Sequence, residues 1–342
     1  MLDQGRRKLI ALVGGAAAAS CVSCCVFWPL AAHAQAPKNT PKQIPRMCFV
    51  TFDPGTLPSS RFDPFFEGLR DLGYANGQSI AIHYLSAEGQ SDRFPALAAE
   101  CLRLKADLIV ATTTPAVQAA KQATRAIPIL FPALGDPVGT GLVDSLAHPG
   151  GNVTGMSMMF PELAAKRLNL LTQAVPGISR VLVLSYLTDP IAHLQVRALQ
   201  NAAGALGVTL QIQDIRTGDD LPAAFERGVK ERAEALITTQ ESIFAAFGAQ
   251  VAELAARHRL PAMYGTLPVT ERGGLMAYVG NSPDLYRRGA SYAARILKGA
   301  KPADLPVQQP TTFEFIINLK TARTLGLTIP PGVLAIADKV IE

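Results

Sequence analysis

The 342 residues lack the compact motifs that mark most catalytic sites. There is no GxxxxGK(S/T) phosphate loop, no GxSxG nucleophile turn and no HExxH metal helix, which excludes the commonest nucleotide, serine-hydrolase and zinc chemistries. The glycine-rich stretch GDPVGTGLVDSLAHPGGNVTGMSM at 135–158 contains Gly139 and Gly141 in GxG spacing. It has no third glycine and does not lead promptly into a helix, so it is not a dinucleotide fingerprint. Beyond residue 34 the histidines His83, His148, His193 and His258 stand singly, and no metal or cofactor is expected. Cysteine is scarce as well. Three of the five (Cys21, Cys24, Cys25) fall in the first 34 residues, and Cys48 and Cys101 read as two buried free thiols, with a disulfide between them in an oxidising compartment as the alternative. No low-complexity tract or short solenoid repeat occurs.

The first 34 residues read as an export signal. Arg6, Arg7 and Lys8 precede an uncharged, mostly apolar run from Leu9 to Ala32, and Ala32-His33-Ala34 supplies a small-x-small cleavage box before Gln35. The expectation is a periplasmic chain cut after Ala34, with lipid anchoring at Cys21 and twin-arginine export as alternatives. Removing Arg6, Arg7, Lys8 and Asp3 takes the formal net charge from +5 to +3, too mild for a nucleic-acid partner.

From Arg46 the chain alternates apolar runs with amphipathic helical segments, the pattern of parallel sheets covered by helices on both faces. One series has strands at 47–52, 79–85, 107–111 and 127–133, with helices near 61–72, 91–105 and 115–125. After the glycine-rich connection a second series has strands at 180–186, 208–213, 235–240 and 261–266. Its helices lie near 161–175, 190–206, 219–232 and 242–258. The tail adds apolar LMAYVG (275–280), a helix over 283–298, a strand in TTFEFIINL (311–319), and a short helix capped by Asn318. The fold class is therefore α/β, with two similar doubly wound parallel-sheet lobes between which the chain crosses more than once.

In such sheets ligands bind beyond the strand C-terminal ends, and the candidate residues stand there. ATTTPA (111–116) places Pro115 where a missing N–H costs nothing, Thr114 at the N-cap, and Thr112 and Thr113 just before it. Hydroxyls, free amides and a positive helix end favour an anion, a carboxylate as readily as a phosphate. Asp136 could accept an ammonium group or cap a turn. Phe52 and Asp53 close the first strand. Met158, Tyr186, Asp189, Thr239, Gln240, Glu241 and Tyr264 complete the set. These groups suit an amino-acid-like solute and contain no nucleophile–base pair.

Several stretches carry a resemblance: FFEGLRDLGYANGQSIAIHY, RFPALAAECLRLKADLIVATTTPAVQAAKQAT, GDPVGTGLVDSLAHPGGNVTGMS, YRRGASYAARILKGAKPADLPVQQPT and FEFIINLKTARTLGLTIPP. On these the chain closely resembles the ABC-transporter substrate-binding proteins of the tryptophan/tyrosine-type family. The resemblance implies the periplasmic-binding-protein type 1 fold, with a three-segment hinge. The lobes would be 46–155 plus 278–304, and 156–277 plus 305–342. It also implies a monomer that captures a small solute, does no chemistry on it, and hands it to a membrane permease with its cytoplasmic ATPase. A sensory subunit for a membrane receptor and an exported α/β enzyme are the competing readings. Relatives often carry glycine where Thr112-Thr113 stand and Asn-Pro where Ser185-Tyr186 stand, so the identity of the solute does not carry over.

Overall fold

The computed structural model describes residues 44–342. The basic start, the apolar leader, Cys21 and the cut after Ala34 lie outside the described residues. Among those described, no helix is long and apolar enough to cross a membrane.

The chain first runs through β1 (Arg46–Thr51), α1 (Asp63–Asp71), β2 (Ala81–Ser86), α2 (Phe94–Arg103), β3 (Leu108–Ala111), α3 (Thr114–Ala123), β4 (Ile129–Leu134) and β5 (Val153–Ser157). It continues through α4 (Phe160–Ala174), β6 (Arg180–Ser185), α5 (Pro190–Leu206), β7 (Thr209–Asp214), α6 (Asp220–Lys230) and β8 (Ala235–Thr238). Next come α7 (Ser242–Ala246), α8 (Gly248–Arg257), β9 (Ala262–Tyr264), α9 (Pro268–Glu271) and β10 (Met276–Gly280). The last elements are α10 (Ser282–Leu297), β11 (Phe313–Asn318), α11 (Leu319–Leu325), α12 (Pro331–Leu334) and β12 (Lys339–Ile341). The helix expected over 242–258 is divided at Phe247 into α7 and α8.

Two sheets result, ordered β2-β1-β3-β4-β5 and β12-β11-β10-β9-β8-β6-β7. Successive side chains of a strand point to opposite faces, and both faces are covered. In β1, Cys48 and Val50 enter one core with residues of α2 and α3, while Met47 and Phe49 enter another with α1 and α10. In β6, Leu182 and Leu184 face α6 and α8, whereas Val181 and Val183 face α4 and α5. That double burial explains why these strands read as near-continuous apolar runs. Cys48 and Cys101 are buried, unpaired thiols.

The chain passes between the lobes three times. It leaves β5 for α4 through Met158 and Met159, where Met159 adopts a left-handed φ of 56°. It returns from β10 to α10 at Asn281, whose side chain caps α10 by accepting from the Asp284 N–H at 3.1 Å. The third crossing follows α10 and leads into β11, which runs antiparallel to β10 because it enters its sheet from the cleft. Sheet membership differs from the expected lobe limits in three places. Residues 156–157 finish β5 and 278–280 finish β10. Residues 305–308 stay bound to the first lobe: Val307 N–H donates to Leu146 C=O at 2.7 Å, and Ser157 N–H to Gln308 C=O at 2.7 Å. Sequence periodicity marks strands but not the sheet they join, which accounts for the difference.

The two lobes also touch directly. The Tyr186 hydroxyl lies 2.9 Å from Ser91 Oγ across the cleft, and its ring is 6.0 Å from that of Phe52. Thr114, at the start of α3, stands beside Asp189, at the start of α5. Tyr186→Phe keeps the ring and deletes one bond, a net loss of about 1 kcal/mol from the closed form. The expected outcome is a larger radius of gyration for the ligand-free variant by small-angle scattering. Gly155 in β5 admits no side chain, since a Cβ would run into the Phe131 carbonyl and ring. Gly155→Ala is expected to lower stability by about 2 kcal/mol or more, read as a shifted urea midpoint.

Candidate functional site

Strands β1 to β10 aim their C-terminal ends, and the helices that follow aim their N-termini, at the gap between the lobes. A cavity of about 280 Å³ lies there. Its first-lobe wall is Arg61, the Thr112–Thr114 segment and the β4 end, and its second-lobe wall is Asp189, Ile191 and residues 240–242. Val279, Ser282 and Tyr286, flanking the second crossing, and Met158 and Phe160, flanking the first, close the sides. Apolar groups make up most of the surface, and the polar side chains come from both lobes.

Local sequence explains the first-lobe end. Thr113 has extended backbone, and its hydroxyl accepts from the Ala116 N–H at 3.3 Å, so Thr113 is the N-cap of α3. The sequence reading put Thr114 there. Thr114 is instead the first helical residue, where it stands beside Asp189. Thr112 is tied back by its N–H and hydroxyl to the Val50 carbonyl, at 3.1 and 3.3 Å. Arg61 extends from the turn before α1. Both guanidinium edges it uses are committed to Asp53, with Nε at 2.8 Å from Oδ2. Asp53 therefore holds Arg61 and does not itself line the cavity.

The second-lobe end is a buried polar knot. Glu241 accepts from Gln195 Nε2 at 2.7 Å, from the Thr239 hydroxyl at 2.6 Å and from the Tyr186 N–H at 3.5 Å. Gln195 Oε1 accepts from the Gln240 N–H at 2.9 Å, and Gln240 Oε1 accepts from Arg167. Arg167 is fully buried and donates Nε to the Tyr278 carbonyl at 2.9 Å. Asp189 caps α5 by accepting from Ile191 N–H at 3.2 Å. Burial pushes the Asp189 carboxyl up to about 7, against the pull of Ile191 and Thr114. It pushes Glu241 up to about 8, against Thr239, with the charge of Asp189 adding to the rise. Burial also lowers Arg167 to about 9, opposed by Glu241.

Of the residues expected at the site, the cavity brings together Thr112, Thr113, Thr114, Met158, Asp189, Gln240 and Glu241. Others stand elsewhere. Asp136 is turned into its own loop, where it accepts from the Val138 and Gly139 N–H groups at 3.1 and 2.9 Å, so it caps a turn outside the cavity. Phe52 and Tyr186 meet each other across the narrow part of the cleft. Thr239 lies beneath Glu241, and Tyr264 is core, 2 % exposed, with burial raising its phenol far above the ordinary range. Sequence reasoning missed Arg61, Phe160, Ile191, Ser282 and Tyr286. Arg61 belongs to no motif, and the α10 residues reach the cleft only through the second crossing. Buried Arg167 and Gln195 carried a signal in their place on apolar helix faces. Among the described residues no cluster could hold a metal ion.

A pH dependence follows. Asp189 and Glu241 keep their protons to higher pH in the folded chain than in the unfolded one. Their contribution to stability is thus full in acid and is lost as pH rises from about 4 towards 8. Asp189→Asn, an equally good N-cap, is expected to flatten this fall and gain about 1 kcal/mol or more at pH 8 relative to pH 5, measured by urea unfolding.

Comparison with known proteins agrees with this architecture. A curated tyrosine-binding protein of Clostridioides difficile (strain R20291) is 28% identical over 263 residues, spanning 77% of this chain and 75% of that one. The structure superposes with a TM-score of 0.78 on an ABC domain from Streptococcus pneumonia in complex with L-Trp, which is 27% identical; 87% of this chain and 100% of that one are covered. The ligand-free, open structure of a Clostridium difficile substrate-binding protein with adhesive properties gives 0.61 at 25% identity, covering 87% and 99%. Two parallel-sheet lobes crossed three times are the periplasmic-binding-protein type 1 fold. The family model for ABC transporter substrate binding protein matches residues 59–341, and the chain belongs to that family of solute-binding proteins.

Proposed function

We propose that this chain is the exported receptor of an ABC importer, taking an amino-acid-like solute with an aromatic or other bulky apolar body. The observation that carries the reading is the cavity itself, enclosed between two lobes and mainly apolar, with polar side chains contributed by both walls. Such a site holds a small amphipathic molecule and shields it from water. Met158, Phe160, Ile191 and Tyr286 provide the apolar walls. The tyrosine-binding relative and the L-Trp complex support an aromatic body.

The mechanism is closure. Solute that touches both walls favours the closed arrangement by its differential affinity for it. Three crossing segments confine the motion to a hinge, and the closed outline is what a membrane permease with its ATPase reads before the lobes part. Met159, already left-handed at the first crossing, is positioned to absorb backbone rotation. In this reading the chain, like the solute-binding family to which it belongs, does no chemistry on the solute, which leaves unaltered. The apolar leader and small-x-small box support delivery across the inner membrane, cleavage after Ala34 and work in the periplasm, where this reading has the chain act as a monomer.

The test is a thermal-shift screen of the purified protein with the common amino acids, followed by calorimetry. L-tyrosine or L-tryptophan is expected to stabilise it, by about 2.7 kcal/mol at a hundredfold excess over Kd. A response confined to sugars or polyols would overturn the assignment.

A further inference from the structure

The third crossing is gripped by the first lobe along most of its length. Thr154 Oγ1 donates to the Leu305 C=O at 2.6 Å, and the Tyr292 hydroxyl to the Pro306 C=O at 2.7 Å. Gln308 lies beside the end of β5, where its N–H donates to the Gly155 C=O at 3.2 Å. Arg288, on α10, carries this grip one residue further. Its Nη1 donates to Gln308 Oε1 at 3.0 Å and its Nη2 to the Gln309 C=O at 3.1 Å, and Nη2 also lies 2.9 Å from the Asp284 carboxylate. Its Nε is enclosed without a partner. An unpaired buried donor costs free energy, so the guanidinium is placed for what its two other nitrogens hold.

Beyond Gln309 the next backbone bond belongs to another crossing. The Asn281 N–H donates to the Thr312 C=O at 3.1 Å, one step past the Gly280–Phe313 pair of the β10–β11 ladder. Between these anchors Pro310 and Thr311 make no backbone hydrogen bond. Pro310 is buried against Gly280, where a Cβ would lie 3.0 Å from the proline ring and 3.9 Å from Met158 Cε. All three crossings therefore meet at Gly280.

We propose that Arg288 is a positioning residue for lobe closure: by holding Gln308 and Gln309 to α10, it confines bending of the third crossing to Pro310 and Thr311. The ring of Pro310 fixes its φ, so few torsions remain free. The Asn281–Thr312 bond makes the second and third crossings turn together. Opening is thereby a rotation about one axis near Gly280, which brings both walls of the cavity back into the same register at each closure. Ser282 and Tyr286 of the cavity wall stand on the same helix as Arg288, so α10 both meets the solute and sets the pivot. Without the clamp Gln309 joins the free stretch, the open lobes gain arrangements, and their entropy draws the equilibrium away from closure. The clamp acts whichever solute is bound.

Hydrogen exchange of the ligand-free chain, read by mass spectrometry on peptides, tests this together with small-angle scattering. Arg288→Ala is compared with Arg287→Ala, which removes the same charge from α10 but from a side chain spent on Glu67 and Asp71 of α1. For Arg288→Ala the expected result is exchange roughly fivefold faster or more over 279–283 and 309–313, and a larger radius of gyration, with both sheets and the thermal midpoint unchanged. Arg287→Ala leaves those segments as they were. Arg288→Lys keeps a charge for Asp284 but loses the forked hold on Gln308 and Gln309, and so behaves like the alanine variant. Gln308→Ala removes a single acceptor and gives a smaller rise in the same segments; it serves if the Arg288 variants do not fold. Unchanged exchange in those segments, an equal effect from Arg287→Ala, full recovery with lysine, or acceleration spread evenly over both lobes would overturn the proposal.

Discussion

Parallel strands joined by helices put the C-termini of β1 to β10 and the N-termini of the helices that follow them on one edge of each sheet, and the cleft inherits these at once. That edge is rich in unpaired backbone donors, so it must be wet, capped or occupied. The chain handles it with two devices. Proline stands in the first turn of α3, α4, α5 and α10, where a missing N–H removes a donor that would otherwise face the cleft. Side chains at Thr113, Asp189 and Asn281 cap the remaining donors. What these devices leave uncommitted is the chemistry offered to a solute.

The two walls differ in how they are held. On the first lobe an exposed-edge ion pair, Arg61–Asp53, and a capped helix form the polar end. On the second, a continuous chain runs from Arg167 through Gln240 and Gln195 to Glu241, all at or near full burial. Such a network is rigid because each member's position is fixed by the next, and losing one member leaves the others unsatisfied in a medium of low dielectric. The second lobe thus presents a preformed polar floor, and closure brings the first lobe to it. The Tyr186–Ser91 bond lies on this contact, which couples the polar wall of the site to the position of the lobes.

The solute's apolar body has fewer constraints. Met158, Phe160 and Tyr286 come from segments beside the crossings, so the apolar walls and the hinge are built from the same stretch of chain.

The sequence by itself determined the elements, because double burial writes strands as apolar runs such as VLVL and DLIVA, and because Pro115, Asn318 and Gly326 mark helix ends through local backbone chemistry. It also located ATTTPA, Asp189 and Gln240-Glu241, since residues after a parallel strand must reach the cleft whatever else the fold does. Tertiary structure alone decided which of these groups face the solute. Asp136 found nearer donors in Val138 and Gly139, Tyr264 turned into the core, and Tyr186 met Ser91. Arg61, Ser282 and Tyr286 entered the site through long-range crossings that leave no local periodicity.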